Sequence, residues 1–339
     1  MKKIFITGGT GLVGSHLLYT LSLVDNELFA SKREESDISK ALKIFSYYSE
    51  DYNKLFEKIN WIDVDITNIV DLEDKIDNID EIYHCAALVS YQKRDKGKML
   101  DVNIDGTANL VNYALQNNIN KFCHVSSIAS FGVAEVGQMI NEQTDWEDTK
   151  TTSAYSKSKY FAEQEVWRGI AEGLNAVIVN PSVILGAGNW NSSSSVIFST
   201  IDNGMKFYTK GITGFVDVRD LVNIMIELMD KSIFNENFIV SSENISYQKL
   251  FNLIAENISV KKPSIYANKK LTSFAWRVEF AKSILFNQKA VITKQSAITA
   301  HKTLEYSNVK IVDALDYKFK KLKKTIQEIS VLYLNDKKN

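Results

Sequence analysis

A glycine-rich turn follows the first apolar segment of the chain, and it limits the fold more strongly than any other feature. The segment from Lys3 to Gly14 has the sequence KIFITGGTGLVG. Gly9, Gly11 and Gly14 have the G-x-G-x-x-G spacing, and Gly8 extends it. Glycines allow a sharp turn and a close approach to a pyrophosphate, and the N–H groups at a helix start favour that anion. The pattern predicts a dinucleotide site between a strand and a helix. The alternative is a turn that only packs the helix against the strand.

Strand-like and helix-like segments alternate along the first half of the chain. The strand-like segments are Lys3–Thr7, Glu27–Ser31, Asn60–Val64, Glu81–His84, Phe122–Ser126 and Ala176–Asn180. The helix-like segments are Gly11–Val24, Ser39–Glu57, Lys98–Asn117 and Ser153–Glu172. This alternation predicts an α/β fold, a Rossmann-type doubly wound parallel sheet between layers of helices. Ligands bind such sheets beyond the carboxyl ends of the strands.

Tyr155 and Lys159 lie four residues apart in the segment YSKSK, a spacing that places both side chains on one face of a helix. A phenol there can deliver a proton, and a nearby ammonium lowers the pKa of the phenol because it favours the phenolate. Ser127 follows an apolar strand upstream and can supply a hydroxyl partner. Together the three residues predict an acid–base site. A tyrosine and a lysine four residues apart, taken alone, are common on solvated helix faces.

These motifs resemble those of the extended short-chain dehydrogenase/reductases, the NAD(P)-dependent epimerase/dehydratase superfamily, over nearly the whole chain. The glycine turn is similar to the family's glycine signature, and Ser127, Tyr155 and Lys159 match its catalytic triad position by position. The further segments that resemble family motifs are Asp63–Ile66, His84–Ala87, Asn103–Thr107, Asn180–Ser182 and Phe215–Asp220.

The resemblance implies a nicotinamide cofactor. It places Asp65 by the adenine and gives Lys159 two tasks, to hold the nicotinamide ribose and to lower the pKa of Tyr155. The residues expected to contact the cofactor are Thr7, Gly8, Gly11, Leu12, Val13, Gly14, Lys32, Arg33, Asp65, Ile66, Ala86, Ala87, Asn103, Tyr155, Lys159, Asn180, Pro181 and Ser182.

The end of the second strand bears on the choice between NAD and NADP. A carboxylate there binds the ribose 2′-hydroxyl of NAD, whereas a basic residue accommodates the 2′-phosphate of NADP. The chain has Ser31, Lys32 and Arg33 at this point, and reductases of the dihydroflavonol type have a similar arginine. The sequence therefore favours NADP. NAD stays open because Glu34 or Glu35 could supply the acid.

Two loops indicate a branch of the superfamily. Ile128 and Ala129 follow Ser127, where the sugar-nucleotide 4,6-dehydratases have an acidic pair for water elimination, so dehydration is disfavoured. The segment from Ser182 to Trp190 has no basic residue, whereas sugar-nucleotide epimerases usually have an arginine there that binds the diphosphate. The chain therefore looks more like the dihydroflavonol reductase and 3β-hydroxysteroid dehydrogenase branch, whose substrates are less charged.

We therefore expect an NADP-dependent oxidoreductase that reduces a carbonyl, or oxidises an alcohol, on a small, weakly charged substrate. Tyr155 donates the proton and Ser127 hydrogen-bonds the carbonyl oxygen in this hypothesis. Two alternatives are an NAD-dependent sugar-nucleotide epimerase and a non-catalytic, redox-sensing NAD(P) binder. The intact set of Ser127, Tyr155 and Lys159 argues against the binder, because binding alone does not need it.

The domain organisation follows from the same resemblance. Residues 1–180 are predicted to form the NAD(P)-binding Rossmann domain, and residues 181–339 mainly a smaller substrate-binding lobe, with some segments returning to the Rossmann domain. No proline-rich linker separates the two parts. The stretch Thr272–Phe286 has aromatic and basic residues at helical spacing. We expect a docked helix lining the lobe there, and a membrane-surface helix is the alternative.

Charge and cysteine content argue against several kinds of partner. The formal net charge of −1 gives no global attraction to nucleic acid or to acidic membranes. With no signal segment and no apolar run long enough to span a bilayer, we expect a cytoplasmic protein with no membrane partner. Cys85 and Cys123 each lie beside a histidine, but adjacent strand residues point to opposite faces, so we expect no metal site.

The helix that contains Tyr155 and Lys159 also bears on assembly. It must turn these two residues toward the cofactor, yet it also has Tyr160, Phe161 and Trp167. Large apolar side chains on another face favour a homodimer, built from this helix, Ser153–Glu172, and the one near Lys98–Asn117, in which a second copy covers them. The alternative is burial against the protein's own helices.

Overall fold

Parallel strands and helices alternate along the first half of the chain, as the sequence predicts. A computed structural model describes residues 1–135, 137–150, 152–285 and 293–338. The strands are β1 Lys2–Thr7, β2 Asn26–Lys32, β3 Ile59–Asp63, β4 Glu81–His84, β5 Lys121–Val125, β6 Ala176–Pro181, β7 Val183–Leu185, β8 Phe207–Tyr208, β9 Ile212–Asp217, β10 Glu236–Val240, β11 Glu243–Ser246 and β12 Ile265–Tyr266. The helices are α1 Leu12–Ser22, α2 Ser39–Ser46, α3 Tyr52–Phe56, α4 Ile69–Lys75, α5 Lys96–Leu100, α6 Gly106–Gln116, α7 Ala154–Ala171, α8 Val196–Asp202, α9 Val218–Asp230, α10 Tyr247–Asn257, α11 Lys269–Leu285, α12 Lys294–Thr299, α13 Val309–Leu315 and α14 Leu322–Lys338. A π-helical turn, Asp101–Asp105, joins α5 to α6.

The largest sheet has seven parallel strands in the order β10-β6-β5-β4-β1-β2-β3. The chain passes from β1 to β2 and β3 on one side and returns to β4 on the other, so a crevice opens at the carboxyl ends of β1 and β4. The register pairs His84 with Thr7 on one side and with His124 on the other. The ends of β1, β4 and β5 therefore lie side by side, and the predicted doubly wound α/β fold is confirmed.

Apolar side chains cover both faces of this sheet. Ile4 and Phe5 are neighbours on β1, and they belong to different core clusters because successive strand residues point to opposite faces. The cluster of Ile4 joins the sheet to α1 and α9, whereas that of Phe5 joins it to α4, α6 and α7. These helices hold the crevice-forming strand ends in place.

The segments after β6 form a smaller region with its own core. Strands β11, β9 and β7 make a second sheet, and side chains of α8, α10 and α14 pack into a third apolar cluster beside it. Strand β10 returns to the large sheet beside β6. The seven-stranded sheet thus includes a strand from the later part of the chain, while the predicted domain organisation, with its division at residue 180, stays a prediction.

Helix α11 covers most of the stretch in which the sequence predicts a docked helix. It packs against α12, and Thr272 Oγ1 lies 2.8 Å from the Nε2 atom of His301. Phe274 is 66% exposed and Phe280 is 51% exposed, so two aromatic residues of the helix point outward. Phe286, the last residue of that prediction, lies outside the described residues.

Among the helices described, none is both long enough and apolar enough to cross a membrane.

Candidate active site

The glycine turn joins β1 to α1 and forms one wall of the crevice. The Gly11 N–H donates to the Gly8 carbonyl oxygen at 2.9 Å, and Gly8 has a φ of +70°. A Cβ atom at Gly14 would lie 2.3 Å from the same oxygen, so the turn needs glycine there. Gly11 precedes α1 without a side-chain cap, which leaves the first N–H groups of the helix for an anion. The turn therefore fits a dinucleotide pyrophosphate.

A cavity of about 300 Å³ opens beside the glycine turn. Its walls come from the turn, the segment after β2 and the loop before α8, and the lining residues are Thr10, Gly11, Leu12, Arg33, Glu35, Ser36, Asp37, Lys40, Ile44, Gly188, Asn189, Ser192, Ser193 and Ser195. Of the two predicted cations, Arg33 lines this cavity. Lys32 instead lies beside Asp63 of β3, with 3.8 Å between Nζ and Oδ2. Ser31 is buried, and its Oγ accepts from the Gly8 N–H at 3.3 Å.

A buried hydrogen-bonded chain joins the ends of β1 and β4 to α6. Thr107 donates its hydroxyl proton to the Asn103 carbonyl oxygen, so the Nε2–H of His84 donates to Thr107 at 2.9 Å. Nδ1 of His84 then accepts from the Thr7 hydroxyl at 2.7 Å. Burial, helped by the charge of Lys159, lowers the pKa of His84 to about 3, so the ring is neutral. These hydrogen bonds fix Thr7, which is one of the residues predicted to contact the cofactor, at the crevice floor.

Other predicted cofactor residues lie around the same crevice. The Ala86 N–H donates to Thr7 Oγ1 at 3.1 Å, and Ala87 is exposed next to it. Asn103 belongs to the π-helical turn, and its amide bonds the backbone of Leu88. Asn103 thereby holds the loop that follows β4.

Three further segments predicted to contact the cofactor lie at strand ends or at the start of a helix. Asp65 Oδ1 accepts from the backbone and the hydroxyl of Thr67, and Ile66 is buried beside Gly106. Leu12 and Val13 begin α1 directly after the turn. Pro181 ends β6, and the N–H of Ser182 donates to the Val240 carbonyl oxygen.

Helix α7 brings Tyr155 and Lys159 to the end of β5. The helix starts at a capping residue, Ser153, whose Oγ accepts from the Ser156 N–H at 3.0 Å. The hydroxyl of Ser127 lies close enough to the hydroxyl of Tyr155 to lower the pKa of the phenol. Lys159 is 2% exposed, and its Nζ donates to the carbonyl oxygen of Val125 at 2.9 Å. The structure thus brings together the three side chains predicted to act on the substrate.

The pKa of Tyr155 lies above its ordinary value in this structure. Burial raises it most, the nearby Tyr91 raises it less and the Ser127 hydroxyl opposes both, so that the pKa of Tyr155 is about 12. Desolvation dominates the pKa of Tyr155 in this structure, and the lowering by Lys159, whose ammonium donates to a backbone carbonyl, stays a prediction. Burial also lowers the pKa of Lys159 to about 8, against the attraction of Glu163 and then Cys85.

Glu163 and Tyr91 belong to the site, and the sequence interpretation missed both. Glu163 is buried and accepts hydrogen bonds at 2.7 Å from Ser126 Oγ and from the Asn180 side-chain amide. Glu163 lies four residues after Lys159, on the same helical face, and this spacing could have indicated its place in the site. The ring of Tyr91 packs edge-on against Tyr155 with 5.8 Å between centroids. Tyr91 lies in a loop, where no periodicity could have indicated it.

The paired histidines and cysteines do not form a ligand set. The rings of His84 and His124 lie 5.1 Å apart, and burial raises the pKa of the Cys85 thiol to about 12. Within the described ranges, no three His, Cys, Asp or Glu residues are grouped to hold a metal ion.

Known proteins resemble this chain in sequence and in fold. The model of the NAD dependent epimerase/dehydratase family matches residues 4–240. Sterol demethylase protein B of Methylococcus capsulatus is 26% identical over 77% of this chain and 76% of its own. UDP-glucose 4-epimerase of Vibrio cholerae is 26% identical over 78% of this chain and 77% of its own. The crystal structure of gox2253 is 23% identical, covers 99% of both chains and superposes with a TM-score of 0.81, which shows the same fold.

Proposed function

Because this chain belongs to the NAD dependent epimerase/dehydratase family, we propose that it is an NADP-dependent oxidoreductase that reduces a carbonyl, or oxidises an alcohol, on a small, weakly charged substrate. Family membership confirms the predicted resemblance, and with it an enzyme of the NAD(P)-dependent oxidoreductase type. The observation that best supports the proposed reaction is the placement of Tyr155, which is half-buried, lies beside the Ser127 hydroxyl and is one helical turn from the buried Lys159.

The three side chains have separate tasks in this proposal. A nicotinamide bound over the glycine turn supplies the hydride. Ser127 donates a hydrogen bond to the carbonyl oxygen of the substrate, and Tyr155 gives its proton to the alkoxide that forms. With its pKa near 12, the phenol keeps that proton at neutral pH, as a donor must. Lys159, with a pKa near 8, stays cationic there, stabilises the phenolate that is left and holds the nicotinamide ribose.

Aromatic side chains near Tyr155 support a weakly charged substrate. Tyr91 packs edge-on against Tyr155 with 5.8 Å between ring centroids, so aromatic surface lies beside the proposed proton donor. Such a surface favours apolar or ring-bearing molecules, because a charge brought against it loses hydration without a partner. The relative named sterol demethylase protein B is consistent with this class.

A panel assay tests the proposed reaction. The purified protein is incubated with NADPH and, in turn, aliphatic aldehydes, aromatic and cyclic ketones, and sugar nucleotides, while absorbance at the NADPH band is followed. We expect oxidation of NADPH with an uncharged aldehyde or ketone. Conversion of a sugar nucleotide to its epimer, with no net oxidation of NADPH, contradicts the reductase proposal.

The cavity beside the glycine turn supports NADP. Arg33 lines it together with Ser36 and Lys40, which gives a 2′-phosphate one hydroxyl and two cations. Arg33→Ala is therefore expected to weaken NADPH binding by about 10- to 100-fold and NADH binding by less than about threefold. Titration calorimetry with both cofactors measures the two effects.

Lys32→Ala is the matched control for this prediction. Lys32 pairs with Asp63 and does not line the cavity, so its removal is expected to change NADPH affinity by less than about threefold. Tighter binding of NADH than of NADPH by the unmodified protein contradicts the NADP proposal.

One observation favours the epimerase alternative. Glu35 and Asp37 line the same cavity, so carboxylates are available for the ribose hydroxyls of NAD. UDP-glucose 4-epimerase of Vibrio cholerae is also a relative. An epimerase of this type returns its hydride to the substrate, so co-purification of NAD with the protein and epimerisation without added cofactor support this alternative.

We also propose a homodimer through the outer face of α7. Trp146 stacks on Tyr160 at 4.1 Å, and Phe161 beside them is 45% exposed. Trp167 packs into the protein's own core and is not part of this face. A monomer mass in light scattering at micromolar concentration contradicts the dimer. A cytoplasmic location and the absence of nucleic-acid and membrane partners stay predictions.

A further inference from the structure

One buried carboxylate oxygen joins three elements of the site. Glu163 lies one turn beyond Lys159 on α7 and is 5% exposed. Its Oε2 atom accepts from the Oγ of Ser126, directly after β5, and from the Nδ2 of Asn180 in β6, each at 2.7 Å. Movement of α7 against either strand end therefore breaks a buried hydrogen bond, which is costly because no water replaces it.

The same network reaches the backbone of Ser127. The Nδ2 atom of Asn180 also lies 2.9 Å from Ser130 Oγ and 3.4 Å from the Ser127 carbonyl oxygen. Ser130 Oγ donates to that carbonyl oxygen at 2.8 Å. The loop that presents the Ser127 hydroxyl is thereby fixed, through Asn180, to the carboxylate on α7.

The carboxylate of Glu163 and the ammonium of Lys159 are opposite charges, both buried, one turn apart on α7. A buried charge is costly without an opposite charge nearby. Burial lowers the pKa of Lys159. The charge of Glu163 makes the largest contribution that raises this pKa, and Cys85, directly after β4, makes a smaller one. His84 of β4 and His124 of β5 also face Lys159, and burial together with its charge lowers the pKa of both, so they stay neutral.

We propose that Glu163 is a positioning residue with two effects: its negative charge keeps Lys159 in the ammonium form beside Tyr155, and its hydrogen bonds hold the Ser127 loop in register with α7. The roles of Tyr155 and Lys159 in this statement rest on the proposed function. The effect on the charge of Lys159 does not, and it can be measured without a substrate.

The first experiment follows the charge of Lys159 directly. Protein labelled with ¹³C at the lysine Cε is titrated by NMR, and the Lys159 signal is identified by its loss in Lys159→Met. We expect the midpoint of Lys159 near pH 8 in the unmodified protein. In Glu163→Gln, which keeps the shape and loses the charge, we expect it lower by roughly one unit or more.

Glu165→Gln is the matched control on the same helix. Glu165 pairs with Arg168 at the surface, so the same chemical change there is expected to leave the Lys159 midpoint in place. An unchanged midpoint in Glu163→Gln overturns the proposal. Because the Gln variant could fail to fold, the unmodified protein is also labelled with ¹³C at the glutamate Cδ. A Glu163 signal in the protonated range at pH 7 overturns the proposal without any variant.

The second experiment measures the pH dependence of turnover with a substrate from the panel. The rate needs the Lys159 ammonium, so it falls as pH rises through the midpoint of this group. In Glu163→Gln this alkaline fall is expected to begin at lower pH, while Glu165→Gln keeps the profile of the unmodified protein. An equal loss at every pH indicates a purely structural role and contradicts the proposal. If no substrate is found, the proposed function fails, while the NMR titration still decides the role of Glu163.

Discussion

Tyr155→Phe is expected to lower turnover by roughly two to four orders of magnitude, the usual effect of removing a positioned acid. The substitution keeps the ring, so its contact with Tyr91 persists and the pocket keeps its shape. It removes the proposed proton donor to the alkoxide, the hydroxyl that lies beside Ser127. NADPH affinity is expected to stay nearly unchanged, which separates a catalytic loss from a binding loss. Steady-state kinetics and calorimetry of the same preparation measure the two quantities.

Tyr160→Phe is the control for this change. Tyr160 is on the same helix, but its ring stacks on Trp146 away from the site. The loss of its hydroxyl is expected to leave turnover within about threefold of the unmodified protein. A normal rate in Tyr155→Phe means that the chain does not use the mechanism its motifs indicate.

Local patterns were enough to predict most of the parallel sheet. The predicted strand Glu81–His84 matches β4, and the helix predicted at Ser153–Glu172 is α7 with bounds one residue shorter at each end. Helix α7 is long, and β4 lies in a regular alternation of strands and helices, so their pattern is unambiguous. The stretch Ser39–Glu57 was wrongly predicted as one helical segment. It is two helices, because the chain turns at Ser49, whose Oγ accepts from the Asp51 N–H.

The choice between Lys32 and Arg33 depended on strand register. The sequence placed both cations at the end of β2 and gave no reason to prefer one. In the structure β2 pairs with β3 so that Lys32 lies opposite Asp63, and the two side chains approach each other. Arg33, one residue later, lines the cavity beside the glycine turn, where we propose that the cofactor binds. Register is a property of the assembled sheet, so the sequence could not assign these two roles.

The electrostatics of the site could not be predicted from spacing alone. The four-residue separation of Tyr155 and Lys159 correctly placed them on one helix near Ser127. The net direction of the shift in the Tyr155 pKa depends on burial, which the spacing does not give, and Tyr91, whose ring packs against Tyr155, is distant in sequence. The spacing of Glu163 was visible, but its burial and its bonds to Asn180 were not.

Lys159→Met is expected to lower turnover by about two orders of magnitude or more and to weaken NADPH binding by about tenfold, since Lys159 is assigned to both steps. Methionine has a similar length and no charge, so the phenolate of Tyr155 loses its cation while the packing is largely kept. The buried carboxylate of Glu163 also loses its counter-charge, so a lower unfolding temperature is expected as well.

Lys157→Met is the control on the same helix, because Lys157 pairs with Asp148 at 2.6 Å and is partly exposed. A surface ion pair contributes little, so this variant is expected to keep turnover and NADPH affinity within about threefold of the unmodified protein. Kinetics, calorimetry and thermal unfolding are measured for both variants. The comparison distinguishes the effect of removing the buried charge of Lys159 from the effect of removing any lysine from α7. If Lys159→Met keeps its NADPH affinity while turnover falls, the lysine assists only the proton donor. If neither quantity changes, Lys159 has no part in the reaction, and its hydrogen bond to the Val125 carbonyl only anchors the helix to β5.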